Sequence, residues 1–439
     1  MHVVLLNQPF YPDVVATAQM GKDLADALVA RGHAVSAVAS RSIYGQAGAT
    51  LPKHEVINTI EIHRVGSNLF GRKGLTARAF DFAMFYVLAT VRILTMKRPD
   101  VVVGYTTPPF IALVALLSKW IRGSRAVYWI MDLYPDVAVD SGVFGAKSMP
   151  ARVMEFLGRV LLTKCDATVV LGRCMRDRAL AKGGPADKVH FIPVWSDESG
   201  VKPVAREQNQ FRREWGLDDA FVVMYSGNFG IGHDCRTILE AILRLSREQE
   251  QGKSTLPRLH FLFVGGGKRK GEVLAFKEKH GLSSVSWREY VPREKLGESL
   301  SVADVHLISL RAGMEGMIVP SKLFGIMAAA RPAIFVGRSA SEIGRILTET
   351  GSGIVVRPGE AEAGTGEGSP SRGAAGAGSL ESEPLGDVDA LVEAIRTLAA
   401  DRAKADEMGR RGREALLGKY DKSTACAQWG TLLEAITSR

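Results

Sequence analysis

The residues best suited to chemistry are Pro320, Ser321 and Lys322, which lie at the start of a predicted helix. Pro320 restricts the backbone before the helix and Ser321 is a favoured N-cap residue, while Leu323 to Ala330 continue the helix until Arg331-Pro332 stops it. Unpaired backbone N–H groups, the positive end of the helix dipole and the Lys322 ammonium all favour an anion. The stretch therefore predicts a diphosphate-binding site. The alternative is an ordinary buried helix with a solvated lysine.

A glycine-rich loop, residues 226–233, is the second candidate. It follows the predicted strand Phe221–Tyr225 and precedes a predicted helix from Asp234 to Glu248. Its glycines would let backbone amides approach phosphate oxygens, although tight strand-to-helix turns need glycine in any case. The candidate residues of this loop are Gly227, Asn228, Gly230 and His233. Three roles are open for His233, namely orienting the loop, donating to a phosphate and capping the helix.

The order Glu-Gly, Pro-Ser-Lys and Ala-Ala-Ala-x-Pro-x-Ile between residues 315 and 334 resembles the donor-site signature of the retaining GT4 glycosyltransferases. It is most similar to bacterial enzymes of the O-antigen fucosamine and colanic acid type. The resemblance implies that Glu315, Pro320, Ser321 and Lys322 bind a nucleotide-diphosphate sugar. The two family glutamate positions fall on Met317 and Gly325 here, with Glu315 two residues before the first.

Three further assignments come from the same resemblance. The loop around Gly227 is similar to the family's Gly-Asn-x-Gly donor loop. In relatives the nucleobase stacks near the position of Tyr290 and Val291. The segment Asp132 to Asp136 follows the predicted strand Ala126–Met131 and resembles the family's acceptor-side loop. Asp132 is the candidate for contact with the reacting centre or the acceptor hydroxyl. Asp136 is a second candidate, with a helix cap or turn as the alternative.

Alternating strand and helix patterns predict an α/β fold with two Rossmann-like, doubly wound domains. The resemblance identifies this architecture as a GT-B fold, in which two such domains face a cleft. We predict an acceptor-binding domain over residues 1–198, a linker region over 199–219, a donor domain over 220–419 and a helix over 420–439 that returns to the first domain. The composition of residues 359–386 predicts a disordered insertion.

The composition of the chain indicates which classes of partner and cofactor it favours. The chain has 439 residues, 46% of them hydrophobic, and a net charge of +9, which favours anionic partners. Its basic residues are scattered among acidic ones, so a nucleic-acid surface is not predicted. Four cysteines without metal-ligand spacing predict reduced thiols and a cytoplasmic protein, and the N-terminus does not resemble a signal peptide. No metal or other cofactor is predicted, and the Asp387-Val388-Asp389 sequence is better explained as a helix cap than as a metal-binding DxD motif.

Residues 70–98 form a predicted apolar helix with basic residues at its borders. One interpretation is a helix that covers the sheet. The other is contact with an anionic membrane surface, at the inner face of the plasma membrane. Both hold if they concern different faces of the helix.

The predicted function is transfer of a sugar, with retention, from a nucleotide-diphosphate sugar to a lipid-linked glycan in cell-surface polysaccharide biosynthesis. Lys322 and the loop amides would offset the charge on the leaving diphosphate without a metal. Two alternatives remain, a nucleotide-sugar epimerase with the same fold and a non-enzymatic sugar-binding protein of two lobes.

Overall fold

The structure is a computed structural model that describes residues 1–13, 15–43, 46–66, 75–196, 200–359 and 383–438, without the side chains of residues 46–49 and 75–79. Most of the predicted insertion, 359–386, lies outside these residues, as do the first residues of the predicted helix 70–98. The chain forms two compact units. The first contains Met1–Val137, Lys147–Pro193 and Lys422–Arg439, and the second contains Ala138–Ala146 and Val194–Asp421.

Each unit is built on a sheet of mainly parallel strands. The strands are β1 (His2–Leu6), β2 (Ala34–Ser40), β3 (Ser42–Ile43), β4 (Gln46–Thr50), β5 (His54–Ile57), β6 (Ile60–Val65), β7 (Val101–Gly104), β8 (Arg125–Ile130), β9 (Ala167–Val170), β10 (Val189–Phe191), β11 (Phe221–Ser226), β12 (Leu259–Val264), β13 (Val285–Arg288), β14 (Val305–Ser309), β15 (Ala333–Val336) and β16 (Gly353–Val356).

Helices connect successive strands. They are α1 (Ala16–Ala30), α2 (Leu75–Thr95), α3 (Ala112–Arg122), α4 (Asp136–Asp140), α5 (Met149–Lys164), α6 (Arg173–Ala181), α7 (Gln210–Glu214), α8 (Arg236–Glu250), α9 (Lys270–His280), α10 (Leu296–Leu300), α11 (Lys322–Ala328), α12 (Glu342–Thr350), α13 (Val388–Ala400), α14 (Arg402–Ala415) and α15 (Lys422–Thr437). Among these described helices, none has both the length and the apolar character needed to cross a bilayer.

The first unit contains an eight-stranded sheet in the order β10-β9-β8-β7-β1-β2-β6-β5. All neighbouring strands in it are parallel except β5 and β6, which form an antiparallel hairpin at one edge. The central strands are uninterrupted apolar runs buried on both faces, as helices on both sides of a sheet require. The C-terminal helix α15 belongs to this unit and packs on α1.

The second unit contains a parallel six-stranded sheet in the order β13-β12-β11-β14-β15-β16. Its strand order reverses at β11 and β14, just as the first sheet reverses at β1 and β7. The predicted α/β class with two doubly wound sheets is therefore confirmed. β11 begins at the predicted Phe221 and ends one residue beyond the predicted Tyr225, and β8 begins and ends one residue before the predicted bounds, because a short apolar run between polar loops is a clear signal for a buried strand.

Two details of the predicted helix after Pro320 are wrong. Ser321 has helical dihedral angles, and its side chain accepts no capping hydrogen bond. The helix, α11, ends at Ala328 rather than beside Arg331, because Ala330 adopts a left-handed conformation with a φ of +52°. α11 thus has only seven residues, so its dipole contributes less than the sequence suggests.

The interpretation of Asp387 as a helix cap is confirmed. Its side chain accepts a hydrogen bond from the Ala390 amide at 2.8 Å, at the start of α13. Asp389, in the first turn, is 83% exposed and pairs with Arg244.

We expect Asp387→Ala to lower the free energy of unfolding by about 1 kcal/mol, because the Ala390 amide loses its partner. Asp389→Ala is the matched control and should change this free energy less, since an exposed ion pair contributes little. Chemical denaturation measures both. Equal effects of the two variants would contradict the cap assignment.

Candidate functional site

The carboxyl ends of β11 and β14 lie side by side where the second sheet reverses its strand order. Loops that leave such a point diverge to opposite faces of the sheet and leave a crevice between them, which is where open α/β sheets bind ligands. Residues 227–235 and 310–321 are these two loops. They contain most of the predicted site residues, namely Gly227, Asn228, Gly230, His233, Glu315, Pro320 and Ser321.

The loop after β11 packs closely on the loop after β12. Gly265 has a φ of +127°, and a Cβ at this position would lie 2.4 Å from the Gly227 carbonyl oxygen. The Phe229 amide donates to the Gly266 carbonyl at 2.7 Å, and the Arg269 amide donates to the Phe229 carbonyl at 3.1 Å. No side chain fits at Gly265. Glycine at this position therefore allows the loop that contains Gly227 to pack directly on the loop after β12.

Lys322, the first residue of α11, extends back to the end of β11. Its Nζ donates a hydrogen bond to the Tyr225 hydroxyl and lies 3.6 Å from the centre of the Tyr225 ring. A Cβ placed on Gly227 would lie 3.8 Å from Lys322 Cε. The ammonium of Lys322 therefore lies beside the backbone of the glycine loop.

The charge on Lys322 is not compensated. Burial lowers the pKa of Lys322 well below its usual range. Within the described part of the chain its Nζ has Tyr225 as a partner but no carboxylate. Lys322 is half-buried. A partly desolvated cation without a counter-charge is unfavourable, and an anionic ligand at this position would relieve the cost.

His233 connects the two loops. Burial, with Lys322 nearby, lowers the pKa of His233 to about 3, so the ring is neutral. Its Nδ1 lies 2.6 Å from the Ser309 carbonyl oxygen at the end of β14, and the single N–H of a neutral ring donates there. At the start of α8 it is Asp234 that accepts the Thr237 amide, so the capping alternative for His233 is wrong. The contact with Ser309 favours loop orientation as the role of His233, and donation to a phosphate stays a prediction.

Tyr290 packs on the glycine turn that follows β12, residues 265–267. Cβ atoms at Gly265 and Gly266 would lie 3.1 and 3.3 Å from its ring. Tyr290 is nevertheless 62% exposed, so much of the ring is open to solvent. Val291 is half-buried against the core cluster of Phe211 and Val222, and it anchors the segment that carries Tyr290.

Glu315 is held within the loop that follows β14. Its Oε2 accepts from the Gly313 amide at 2.8 Å, and its Oε1 lies 3.7 Å from Arg338 Nε. Oε1 is buried and accepts no hydrogen bond from the residues that the structure describes. Pro320 is half-buried and Ser321 is exposed. Glu315 is thus held by its own loop and by Arg338, and its part in donor binding stays a prediction.

Asp132 lies in the first unit, directly after β8. The Asp132 and Met131 amides both donate to the Thr106 hydroxyl at 3.3 Å, which ties this loop to the end of β7. Burial raises the pKa of Asp132 to about 6. Asp136 differs, because it begins α4 and pairs with Lys182 at 2.8 Å. The geometry therefore favours a structural role for Asp136.

Two features of the site are absent from the sequence-based prediction. One is Tyr225, which is buried at the end of β11 and contacts Lys322. The other is the Gly265-Gly266-Gly267 turn, which supports the first glycine loop. A second glycine run directly after a neighbouring predicted strand was the available signal, since adjacent parallel strands end at the same edge of a sheet.

One cluster among the described residues could supply three metal ligands. The ligand atoms of His54, Glu61 and His63 lie within 4.8 Å of one another in the first unit. However, Arg92 Nη2 lies 2.9 Å from Nδ1 and 3.1 Å from Nε2 of His63. A guanidinium already occupies the position from which His63 would bind a cation, and this disfavours a metal there.

Comparison with known proteins identifies the family. A family described as "Glycosyl transferase 4-like domain" matches residues 17–195. The chain is 31% identical over 296 residues to WbjE of Pseudomonas aeruginosa, named as a glycosyltransferase, a match that covers 66% of this chain and 69% of WbjE. It is 25% identical over 369 residues to WcaI of Escherichia coli (strain K12), named as a colanic acid biosynthesis glycosyl transferase, covering 81% of this chain and 88% of WcaI.

Solved structures share the fold over nearly the whole chain. Sucrose-phosphate synthase from Thermosynechococcus elongatus is 15% identical, with a TM-score of 0.75, and the match covers 100% of this chain and 99% of that one. Anabaena Alr3699/HepE in complex with UDP-glucose is 14% identical with a TM-score of 0.68, covering 99% of this chain and 100% of that one. These neighbours show a GT-B fold. The extent of its similarity to WbjE shows that this chain is a glycosyltransferase of the GT4 family.

Proposed function

We propose that the chain transfers a sugar, with retention, from a nucleotide-diphosphate sugar to a hydroxyl of a lipid-linked glycan during bacterial cell-surface polysaccharide synthesis. The donor class is supported by HepE, a structural neighbour solved with UDP-glucose. The pathway class is supported by the name of WcaI, which refers to colanic acid biosynthesis. The reaction would take place at the inner face of the plasma membrane.

The observation that carries the proposal is the half-buried Lys322 ammonium without a carboxylate partner in the described residues. It lies next to the Gly227 backbone, at the crevice between the loops after β11 and β14. A diphosphate placed there would meet a cation and backbone amides together. Glu315 and Tyr290 lie on loops of the same sheet edge. Glu315 is assigned to donor binding and Tyr290 to the nucleobase.

In the proposed reaction the bond between the anomeric carbon and the diphosphate oxygen breaks. The acceptor oxygen bonds to the same face of that carbon, and the proton of the acceptor hydroxyl passes to the leaving phosphate. Lys322 and the loop amides stabilise the charge that develops on the diphosphate. No enzyme nucleophile is assigned. Asp132, in the first unit, is assigned to the acceptor hydroxyl.

The donor is identified first by thermal stabilisation with a panel of nucleotide sugars, because binding to the folded state raises the unfolding midpoint. The best donor is then assayed with lipid-linked acceptors for release of nucleoside diphosphate and for a glycosylated product. With labelled UDP-GlcNAc, an epimer without transfer would favour the epimerase alternative. Binding of a donor without release of nucleoside diphosphate under any acceptor condition would overturn the proposal.

We expect Lys322→Ala to lower turnover at least about a hundredfold, because the leaving diphosphate loses its nearest cation. Lys268→Ala is the matched control, since Lys268 is exposed on the neighbouring loop after β12, and it should keep most of the activity. Turnover is measured by release of nucleoside diphosphate. Near-normal activity of Lys322→Ala would exclude Lys322 from diphosphate stabilisation.

We expect Lys322→Met to leave the unfolding midpoint of the ligand-free protein unchanged or higher, because an unpaired, half-buried charge is removed. Lys119→Met is the comparison, since Lys119 pairs with Asp166 at 2.9 Å, and its midpoint should fall. A nucleoside diphosphate at a hundred times its Kd should stabilise the wild type by about 2.7 kcal/mol, and Lys322→Met should lose most of this gain. If Lys322 had a purely structural role, the unfolding midpoint of Lys322→Met would fall, and the nucleoside diphosphate would still stabilise this variant.

The pKa of about 6 for Asp132 sets the expected pH dependence of transfer. A raised pKa means that the carboxylate is present above about pH 6 and is protonated below it. If the ionised form contacts the acceptor hydroxyl, kcat/KM falls as the pH drops through this value. Asp132→Asn should lower the rate and abolish this fall of kcat/KM at low pH, whereas Asp136→Asn should show the same fall as the wild type. If Asp132→Asn still showed the fall, Asp132 would not be the group that contacts the acceptor hydroxyl.

A further inference from the structure

Three neighbouring helices of the first unit expose large apolar side chains. α2 packs against α3, and α3 packs against α5. The exposed apolar residues on these helices include Val87, Val91, Trp120, Ile121, Val153 and Phe156, which are between 48% and 65% exposed. We call these six residues the outer helix face. By contrast, Phe85, Ala89 and Ile93 on the opposite side of α2 are buried, so α2 covers the sheet with one side only.

Hydrogen bonds between the helix ends make this face continuous. Arg122, at the end of α3, donates to three carbonyl oxygens at the end of α2, at distances between 2.6 and 3.1 Å. Lys119 donates to the Lys164 carbonyl at the end of α5, at 3.0 Å. α3 is therefore fixed between α2 and α5. Trp120 and Ile121 occupy the last turn of α3, between the ends of its two neighbours.

The charge exposed around this face is positive. Arg152, Arg159 and Lys164 on α5 are exposed, and the first two lie four and three residues from Phe156, on the same side of the helix. Acidic residues do not balance them. Asp81 on α2 is buried, α3 has no acidic residue, and Glu155 on α5 pairs with Lys182 at 2.8 Å.

We infer that the outer helix face binds the surface of an anionic lipid bilayer. Trp120, Ile121 and Phe156 enter the headgroup boundary, and the α5 cations lie at the level of the lipid phosphates. The inference builds on the proposed contact of residues 70–98 with anionic lipid and extends it to α3 and α5. It does not depend on which sugar or acceptor is used.

A second copy of the chain is the other candidate for covering an apolar surface of this kind. Two-fold self-association would place the same patch of both copies together and bring their exposed cations close to each other, which is repulsive. An anionic bilayer attracts the same cations. The charge of the face therefore favours lipid over a second copy.

The test is flotation of the full chain with vesicles of phosphatidylcholine alone and of phosphatidylcholine mixed with phosphatidylglycerol. Binding to the mixed vesicles should be stronger and should weaken as salt is added. The triple variants Arg152→Glu/Arg159→Glu/Lys164→Glu and Trp120→Ser/Ile121→Ser/Phe156→Ser should each lower the partition coefficient at least about tenfold. All six positions are exposed, so folding should be retained, and circular dichroism with nucleotide-induced stabilisation verifies it.

Lys202→Glu/Arg213→Glu/Lys253→Glu is the matched control. It makes the same change of charge at exposed positions of the second unit and should bind vesicles more strongly than the α5 variant. Equal loss in this control and the α5 variant would show a general charge effect and overturn the inference. Absence of wild-type binding to the mixed vesicles would also overturn it.

Val87→Ser/Val91→Ser separates the inference from the proposal on which it builds. If this α2 variant loses binding while the α3 and α5 variants keep it, the contact of residues 70–98 stands and the extension to α3 and α5 fails. If sedimentation detects self-association that Trp120→Ser/Ile121→Ser/Phe156→Ser abolishes, the face is an interface between copies and the lipid assignment is wrong. None of these variants alters the donor site, so sugar transfer to a soluble acceptor tests the proposed function independently.

Discussion

The Lys322 ammonium is half-buried and has no carboxylate partner among the described residues, and the proposed donor site depends on it. The Tyr225 ring and hydroxyl hold the amine, while the absence of a side chain at Gly227 keeps the backbone beside it open. Such a charge lowers stability in the free protein. In the proposed reaction the leaving diphosphate would supply the missing negative charge and offset this cost.

Sheet topology puts chemically different groups at equivalent edges of the two units. In the second unit, the reversal of strand order at β11 and β14 brings together a glycine loop and a lysine. In the first unit, Thr106 follows β7 and Asp132 follows β8, so a hydroxyl and a carboxyl group with a pKa of about 6 occupy the corresponding edge. One architecture used twice thus carries a cationic group at the edge of one sheet and an acidic group at the corresponding edge of the other, as the proposed reaction requires.

Helix α2 of the first unit has apolar side chains on its buried side and on its exposed side. The inner side of α2 contributes Phe85 and Ile93 to the core, whereas Val87 and Val91 are exposed on the other side. A helix that covers a sheet normally has apolar residues only on the side that faces the sheet. The additional exposed Trp120 and Phe156, with unbalanced cations beside them, are typical of a surface that meets both lipid tails and phosphates.

The sequence by itself determined the alternation of buried strands and helices and located Lys322 and the loop with Gly227 within it, because apolar runs and glycine turns are local signals. It did not determine that Tyr225 would hold Lys322, that Gly265 would support Gly227, or that His233 would be neutral. Those features join residues from different strand ends, and they exist only once the strand order 13-12-11-14 brings the ends together. Local propensity also overstated α11, because packing imposes a left-handed turn at Ala330 that alanine does not favour on its own. Tertiary structure decided these points, since contact between distant residues depends on topology and on burial, which no short stretch of sequence encodes.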